Sequence, residues 1–339
     1  MQLLRKLAFP ISLIYALVVH VRNLCFNLGI FKSNSFHTPT ICIGNLSVGG
    51  TGKTPMIEYL LRLVGKDYKI AVLSRGYRRK TKGYLLANET LTVEDLGDEP
   101  YQIYSKFNKT IALAVDGDRT NGIRNLERDV NPDLILLDDA FQHRKVKPSL
   151  SILLTTYTNL YVNDWYLPTG DLRDSKQEAK RAKIIIVTKC PAHLTNTEKE
   201  AIIKSIQPQN HQKVLFNKFV YNDFLVGLDK KIALSDLKGK HFSLVTAIAN
   251  PKPLVSYLKS LGNSFEHFKY ADHHFFSERD IADFSNNELV VTTEKDFTKL
   301  KAKCKNIFYL EVQHEFFDNG KEIIKSCIKD MMLNAPSSS

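Results

Sequence analysis

A glycine-rich segment near the start of the chain constrains its fold most strongly. The segment reads Ser47-Val48-Gly49-Gly50-Thr51-Gly52-Lys53-Thr54. It follows the apolar run 40–43 and leads into the amphipathic stretch 55–64, an order typical of a phosphate-binding loop between a strand and a helix. In such a loop Lys53 reaches the outer phosphates and Thr54 ligates Mg²⁺. Ser47 stands where the general motif begins with Gly, but the Gly-Lys-Thr ending favours nucleotide binding by the whole segment.

Continuous apolar runs alternate with helical patterns over the first two thirds of the chain. The runs are 40–43, 69–74, 110–115, 133–137, 149–155 and 183–188. Strands that are covered on both faces have this composition, so we expect a P-loop NTPase-type α/β/α fold with a mostly parallel sheet. A second series of runs follows at 214–221, 242–247, 288–292 and 306–310, with a helical stretch at 251–262. This series predicts a second, smaller α/β domain.

The sequence therefore predicts four segments. Residues 1–28 form an N-terminal membrane-associated helix, and residues 29–222 form the nucleotide-binding domain. Residues 223–333 form the smaller domain that closes over the site, with a boundary in 222–237. Residues 334–339 are small and polar and form a frayed tail.

The N-terminal stretch 3–28 is strongly apolar, with Arg5 and Lys6 before its core and Arg22 after it. Pro10 and His20 bound the most apolar part, which is shorter than the roughly 20 residues of a spanning helix. We expect an interfacial helix whose basic flanks meet anionic headgroups. A helix packed on its own domain is the alternative.

Composition limits the compartment and the partners. The chain has 47 basic and 36 acidic residues, a net charge of +11 that suits nucleic acid, anionic lipid or a phosphorylated substrate. The five cysteines are scattered without a C-x-x-C pair, which argues against a disulfide framework or a zinc site and fits a reducing compartment.

The apolar run 134–139 ends in two acids, Asp138 and Asp139. This pattern is typical of the second nucleotide motif, in which an acid at the C-terminal end of a strand holds Mg²⁺ directly or through water. Gln142 and His143 follow at the same sheet edge, where such folds bind ligands. Hydrogen bonding within the loop is an equal alternative for these two residues.

A second acidic pair, Asp98 and Glu99, precedes Pro100. Adjacent carboxylates there can cap a helix that begins at Pro100. The functional alternative assigns one acid to proton abstraction from an acceptor hydroxyl and the other to the metal. His273 and His274 are adjacent but lack further ligands at zinc-site spacing. A histidine bonded to a catalytic Asp across an interdomain cleft would orient that carboxylate.

Two segments offer arginines that suit phosphate. Arg75 lies in the basic segment 74–80 after a predicted strand, and Arg173 lies in the turn-rich segment 167–174. A solvated charged loop is the alternative for both segments.

Seven short motifs occur in a fixed order along most of the chain. They are GNLSVGGTGKTP at 44–55, SRGY at 74–77, GDEP at 97–100, DDAFQH at 138–143, LR at 172–173, DHH at 272–274 and TEKD at 293–296. Together they resemble the signature of the tetraacyldisaccharide 4'-kinases of lipid A biosynthesis. Residues 169–171 read Thr-Gly-Asp where that family more usually has Ala-Gly-Pro, and Asp174 stands where Glu is common.

The resemblance implies transfer of phosphate from ATP to the 4'-hydroxyl of a tetraacyldisaccharide 1-phosphate, by two domains that close around the nucleotide. Asp98 would be the base and His273 its partner, with His274 left as an alternative. The resemblance also assigns Mg²⁺ to Thr54, Glu99, Asp138 and Asp139. Substrate contacts are expected from Asn45, Arg75, Arg119, Gln142, His143 and Arg173.

The same resemblance implies work on a glycolipid at the cytoplasmic face of the bacterial inner membrane. No coiled-coil pattern demands a dimer, so we expect a monomer. The expected partners are that glycolipid and an anionic membrane surface, and no nucleic acid. Two other classes stay open as alternatives. A switch GTPase needs an Asn-Lys-x-Asp segment, and the nearest stretch, 187–190, lacks the acid. A nucleic-acid ATPase fits the net charge, but an aromatic-interleaved basic stripe is not obvious.

Overall fold

The computed structural model describes Arg5 and residues 7 to 334 of the 339-residue chain. The predicted tail at 334–339 lies outside the described residues except for Asn334, as do Lys6 and residues 1–4 of the N-terminal segment. Thirteen strands form one continuous sheet, in the order β11-β10-β12-β13-β8-β7-β6-β1-β5-β2-β4-β3, with β9 on β8. The predicted fold class is confirmed.

The first half of the sheet is parallel except at its short edge strand. Its strands are β1 (Thr40–Asn45), β2 (Ile70–Ser74), β3 (Leu85–Leu86), β4 (Ile111–Val115), β5 (Leu134–Asp138), β6 (Leu150–Thr156) and β7 (Ile184–Thr188). β1 lies between β5 and β6, and β3 pairs antiparallel with β4. Because β1, β2, β5 and β7 are buried along their whole length, the continuous apolar runs correctly indicated two covered faces.

The second half begins with a long strand that belongs to both halves. Its strands are β8 (Lys213–Val226), β9 (Lys231–Ala233), β10 (His241–Thr246), β11 (Ser264–Lys269), β12 (Val290–Thr293) and β13 (Ile307–Phe316). The start of β8 pairs in parallel with β7, and the rest of it pairs antiparallel with β13. β8 thus continues through Asn222, inside the segment predicted to contain the boundary, and the domain boundaries stay a prediction.

Helices cover both faces of each half. Those before β8 are α1 (Phe9–Asn27), α2 (Lys53–Val64), α3 (Val93–Leu96), α4 (Asp98–Phe107), α5 (Arg119–Asp129) and α6 (Asn196–Ile206). Those after β8 are α7 (Lys252–Ser260), α8 (Glu278–Phe284), α9 (Glu294–Leu300) and α10 (Gly320–Leu333). Short 3₁₀ helices lie at Tyr161–Asn163, Lys176–Arg181 and Leu234–Leu237.

The C-terminal helix α10 returns to the nucleotide-binding half. Its apolar residues Ile324, Cys327 and Ile328 lie in the same buried cluster as Ile41 and Ile57, from β1 and α2. The smaller domain predicted from the sequence includes this segment, which follows the second series of strands. Only the packing shows which sheet its apolar stripe contacts.

The N-terminal helix α1 is longer than its apolar core suggested. Pro10 lies in its first turn, where a missing N–H is tolerated, and His20 lies in its interior. By length and composition alone it is the one helix among the described residues that could cross a membrane. Its buried residues, Ser12, Val19 and Asn23, are mostly polar, while its apolar side chains face outward.

Candidate active site

The glycine-rich loop closes onto the start of α2 in a conformation that needs glycine. Gly52 caps α2 with φ of 93°, and a Cβ there would lie 2.8 Å from the Phe219 ring. His314 Nε2 donates to the Gly52 carbonyl over 3.0 Å. Burial lowers the pKa of His314 to about 4, so the ring is neutral at pH 7 and its other nitrogen is unprotonated.

Carbonyl groups of the loop accept hydrogen bonds from other parts of the protein. Its N–H groups therefore remain available to a ligand. Thr188 Oγ1 donates to the Thr51 carbonyl over 2.9 Å, at the end of β7. Among the described residues, the N–H groups of Gly50, Gly52, Lys53 and Thr54 find no acceptor. Unpaired N–H groups at a helix N-terminus form an anion site, as the motif predicted.

A charged network joins the loop to the ends of β1 and β5. Lys53 Nζ lies 3.4 Å from Asn45 Oδ1 and 3.8 Å from Asp139 Oδ1. Arg173 contacts both partners, donating to Asp139 Oδ2 over 3.0 Å and to Asn45 Oδ1. Burial opposes the charge on Asp139, but Lys53 and Arg173 outweigh it and keep the pKa of Asp139 below its usual range.

Asp138, unlike its neighbour Asp139, forms no ion pair with a described residue. It is 1% exposed, its Oδ2 accepts from Ser74 Oγ over 2.9 Å, and its Oδ1 has no hydrogen-bond partner in the described part of the chain. Burial raises its pKa to about 7, and the nearby charges of Glu99 and Asp139 add to the effect. The orphaned oxygen of this buried carboxylate, with other carboxylates nearby, is the type of donor that suits Mg²⁺.

Of the other residues expected near the substrate, Arg119 and Gln142 hydrogen-bond to backbone carbonyls, whereas Arg75 lies at the surface. Arg119 is 2% exposed and donates to the backbone carbonyls of Asp116 and Asp138, so it supports the end of β5 rather than facing a ligand. Gln142 Nε2 donates to the Asn45 carbonyl over 2.7 Å. Arg75 is exposed at the end of β2.

His143 and Ser47 also have specific surroundings. Burial, together with the charge of Arg119, lowers the pKa of His143, which lies 3.8 Å from Asp118. Ser47 Oγ donates to Asp164 Oδ2 over 2.9 Å, so this hydroxyl fixes the start of the loop. The serine that replaces the usual glycine therefore makes a structural contact.

The two acids of the 97–100 turn lie within the first turn of α4, which begins at Asp98 rather than at Pro100. Gly97 precedes the helix with φ of 91°, and a Cβ there would lie 2.8 Å from the Tyr77 carbonyl. Only glycine fits this close approach. The turn therefore brings Asp98 and Glu99 to the same edge of the sheet as the phosphate-binding loop.

Asp98 meets His273 across the junction between the two halves. His273 Nδ1 lies 2.9 Å from Asp98 Oδ2, and Lys299 Nζ lies 2.7 Å from the same oxygen. Burial alone raises the pKa of Asp98, but the hydrogen bonds from His273 and Lys299 outweigh it and lower that pKa. The neighbouring His274 lies 3.1 Å from Asp280 instead, within its own half.

The positions of the protons in this pair follow from its partners. An ionised carboxylate only accepts, so His273 Nδ1 carries the proton and Nε2 accepts from Lys295 Nζ over 3.2 Å. Neither lysine was predicted to contribute to the site. Lys299 lies outside the seven motifs, and Lys295 lies in the TEKD motif but was given no role. Both lie on α9, whose helical spacing brings them to the pair.

The family of the chain follows from its similarity to known proteins. A family model described as tetraacyldisaccharide-1-P 4'-kinase matches residues 4–331. The chain belongs to this family. The predicted resemblance and the predicted ATP-dependent kinase activity in lipid A biosynthesis are therefore confirmed, and neither the switch GTPase nor the nucleic-acid ATPase is favoured.

Individual relatives within the family are similar over nearly the whole chain. A tetraacyldisaccharide 4'-kinase of Flavobacterium johnsoniae is 45% identical over 340 residues, covering 98% of this chain and 99% of that protein. One of Bacteroides thetaiotaomicron is 44% identical over 317 residues, covering 88% and 83%. The crystal structure of LpxK from Aquifex aeolicus in complex with ATP matches with a TM-score of 0.81 at 28% identity, covering 97% and 99%.

Proposed function

We propose that this chain transfers the γ-phosphate of ATP to the 4'-hydroxyl of a tetraacyldisaccharide 1-phosphate, with Asp98 as the base. Its family and the phosphate-binding loop support the reaction. The contact between Asp98 and His273 supports the residue roles most directly, because it joins the two halves at the sheet edge that holds the loop. Its geometry suits a base that is assembled from both halves.

The glycine-rich loop from Ser47 to Thr54 is proposed to hold the nucleotide phosphates. Its free N–H groups surround the phosphate oxygens, and Lys53 reaches the γ-phosphate and neutralises part of its charge. Thr54, Glu99, Asp138 and Asp139 would hold Mg²⁺, which supplies further positive charge to the transferred group when it is bound. Asn45 and Arg173 orient Lys53 and Asp139.

Proton transfer is proposed to use the free oxygen of Asp98. His273 and Lys299 both contact Oδ2, while Oδ1 makes no hydrogen bond to any residue that the structure describes. Oδ1 is therefore the oxygen available to accept the proton of the sugar hydroxyl. His273 keeps the carboxylate charged and oriented, and Lys299 stabilises the same charge.

The acceptor sugar is proposed to lie in the small cleft beside this pair. Tyr77, Arg78 and Phe275 line the cleft together with Asp98 and His273, and both aromatic side chains are exposed. Aromatic rings pack on sugar faces, while arginines such as Arg78 suit a phosphate group. Arg75 and His143 remain proposed contacts further along the same edge.

We also infer that the protein works as a monomer on the cytoplasmic face of the bacterial inner membrane. The apolar face of α1 carries Ile11, Leu13, Ile14, Leu17, Val18, Val21 and Leu24, each at least 51% exposed. Such a face favours insertion among lipid chains. The flanking cations have less freedom than the sequence suggested, because Arg5 donates to the Gly170 carbonyl and Arg22 to the Gln142 carbonyl.

Transfer of labelled phosphate tests the proposal. Wild-type protein should move the label from γ-labelled ATP to tetraacyldisaccharide 1-phosphate in detergent micelles. Lys53→Ala should abolish labelling while the protein stays folded by circular dichroism, because the loop loses its charge but no core contact. Hydrolysis of ATP without any labelled lipid in the wild type would refute the proposal.

A further inference from the structure

The N-terminal helix α1 is attached to the rest of the protein through its polar face. Ser12, Tyr15, Val19 and Asn23 lie one helical turn apart on this face, and each is buried or partly buried. An amphipathic helix of a globular protein usually buries its apolar side. In α1 the arrangement is reversed, because the apolar side is exposed and the polar side contacts the protein.

The polar face contacts a short stretch of chain, residues 164–174, which we call the contact segment. Ser12 Oγ donates to Thr169 Oγ1 over 2.8 Å, and Tyr15 OH donates to the Arg173 carbonyl over 3.0 Å. Asn23 Nδ2 donates to Asp174 Oδ1 over 2.8 Å. Asp174 is 0% exposed and Asn23 is 4% exposed. The Asn23–Asp174 contact is thus a buried charge-assisted hydrogen bond, which is costly to break.

The contact segment also builds one wall of the nucleotide site. Its backbone pairs with the phosphate-binding loop, since Val48 N donates to the Asp171 carbonyl over 2.7 Å and Arg173 N to the Leu46 carbonyl over 2.8 Å. The Arg173 side chain then contacts Asn45 and Asp139, which are the partners of Lys53. One residue of the segment therefore receives a hydrogen bond from α1 at its carbonyl and orients the Lys53 network with its guanidinium.

A second route runs along the other edge of the helix. Arg22 Nη2 donates to the Gln142 carbonyl over 2.6 Å, and Gln142 Nε2 donates to the Asn45 carbonyl over 2.7 Å. Both routes lead to the end of β1, directly before the phosphate-binding loop. Two independent chains of hydrogen bonds thus join the same helix to the same end of the loop.

We propose that α1 is a positioning element of the nucleotide site, in which Tyr15 acts through Arg173 and Asn23 acts through the neighbouring Asp174. The helix that presents apolar side chains for a membrane therefore also completes the wall beside Lys53. This inference goes beyond the proposed function and rests on it for nucleotide binding by the loop and for the role of Arg173. The two faces of α1 then have different roles. Substitutions on the polar face should affect the nucleotide site, and substitutions on the apolar face should affect membrane binding.

The test compares variants of the two faces. Tyr15→Phe and Asn23→Leu change the polar face, and Leu17→Ser and Val18→Ser change the apolar face. For each variant one measures affinity for a non-hydrolysable ATP analogue, kcat and KM for phosphate transfer, sedimentation with phosphatidylglycerol-containing vesicles, and melting temperature. Tyr15→Phe keeps the ring and removes one hydroxyl, so it decides the outcome if Asn23→Leu fails to fold.

The polar-face variants should bind the vesicles as the wild type does, while kcat or analogue affinity falls roughly fivefold to tenfold, the ratio expected for one lost hydrogen bond. The apolar-face variants should lose vesicle binding and keep wild-type affinity for the analogue. Wild-type kcat and analogue affinity in both polar-face variants would overturn the inference.

A double-mutant cycle tests the route through Arg173. Tyr15→Phe combined with Arg173→Lys should lose less than the product of the two single effects, because Tyr15 is proposed to act by positioning the guanidinium that Arg173→Lys removes. Independent, multiplicative losses would overturn this route. Analogue binding does not need the acceptor, so a wild type that binds the analogue without transferring phosphate refutes the proposed function and leaves the comparison of faces readable.

Discussion

Asp98 shows how the environment of a single carboxylate sets its chemistry. His273 and Lys299 occupy one oxygen and keep the group charged, while the other oxygen stays free of hydrogen bonds from the described residues. A carboxylate with a lowered pKa is a weak base, which suits phosphoryl transfer because little deprotonation is needed until late in the reaction.

Replacement of this carboxylate should slow the chemical step. Asp98→Ala is expected to lower kcat by roughly 10²–10⁴-fold, the usual loss when a general acid–base group is removed. Affinity for an ATP analogue should change little, because Asp98 makes no contact with the phosphate-binding loop. Steady-state kinetics with calorimetric analogue binding check both statements, and wild-type turnover would remove Asp98 from the role of base.

The adjacent histidines provide a matched pair of variants. His273→Ala should lower kcat because Asp98 loses a hydrogen bond. His274→Ala should have the kcat of the wild type, because His274 contacts Asp280 and not Asp98. The double variant of Asp98 and His273 should be little worse than Asp98→Ala, since the two residues act as a unit. Equal losses in His273→Ala and His274→Ala would contradict this assignment.

Among the elements, α4 and α9 form an antiparallel pair that is joined at both ends by contacts between ionisable side chains. Asp98 begins α4 and pairs with Lys299 near the end of α9, while Lys106 in the last turn of α4 lies 2.8 Å from Glu294 at the start of α9. The charges of Asp98, Lys106 and Lys299 also complement the dipoles of their own helices. The pair that presents the base is therefore fixed at two points across the two halves.

The second of these points is a crowded acidic cluster. Glu58, Glu294 and Glu311 surround Lys106, and Arg62 contacts two of the three. Three carboxylates against two cations leave one excess negative charge. Burial and this excess raise the pKa of Glu294 from 4.5 to about 8, although Lys106 opposes the shift. One proton therefore balances the cluster near neutral pH.

This cluster predicts a pH dependence of stability. Between pH 4.5 and about 8 folded Glu294 holds a proton that the unfolded chain has lost, so stability falls as pH rises through this window. Glu294→Gln should flatten that fall and raise Tm at pH 8.5 by roughly 2–4 °C, the shift that about 1 kcal/mol gives in domains of 150–250 residues.

Melting curves from pH 5.5 to 8.5 measure the effect. The control is Glu315→Gln, because Glu315 pairs with Lys218 at the surface and its loss should leave the profile unchanged. A Glu294→Gln variant that melts lower than the wild type at pH 8.5 would show that the ion pair with Lys106 outweighs the excess charge.

At the scale of the whole molecule, the two halves are joined by elements that cross between them. β8 pairs with strands of both halves, and the chain returns through β13 so that α10 packs beneath β1 and α2. The last helix of the chain therefore contributes to the core of the nucleotide-binding half.

A core substitution in α10 should accordingly destabilise the nucleotide-binding half. Ile324 is fully buried in the cluster that contains Ile41 and Ile57, so Ile324→Ala is expected to cost about 2–5 kcal/mol. Lys325→Ala is the control, because Lys325 is exposed on the same helix. Urea unfolding measures both, and an unchanged midpoint for Ile324→Ala would contradict the packing.

Closure of the two halves should also protect the transferred phosphate from water. Without the lipid acceptor, ATP hydrolysis by the wild type should be much slower than phosphate transfer at the same ATP concentration, because the proposed base, Asp98, contacts His273 and Lys299 of the other half and closure would exclude water. Phosphate release with and without the tetraacyldisaccharide gives the ratio. Equal rates would count against closure as the source of this selectivity.

The features that could be predicted from the sequence are those encoded by residues close together in the chain. The phosphate-binding loop, the apolar strands and the acids at the end of β5 follow from residues a few positions apart, so the fold class and most of the site could be predicted. Strand β11 was missed because its exposed edge position leaves Ser264–Lys269 without a continuous apolar run.

Contacts between side chains that are distant in the sequence became visible in the folded protein alone. Asp98 lies 175 positions from His273, and the helical spacing that brings Lys299 to the same oxygen has no local signature before the halves are packed. The attachment of α1 through its polar face could not be predicted from the sequence either. Hydropathy measures how apolar a helix is but not which side contacts the protein. Long-range hydrogen bonds and ion pairs depend on two distant partners, and a pattern in one segment contains only one of them.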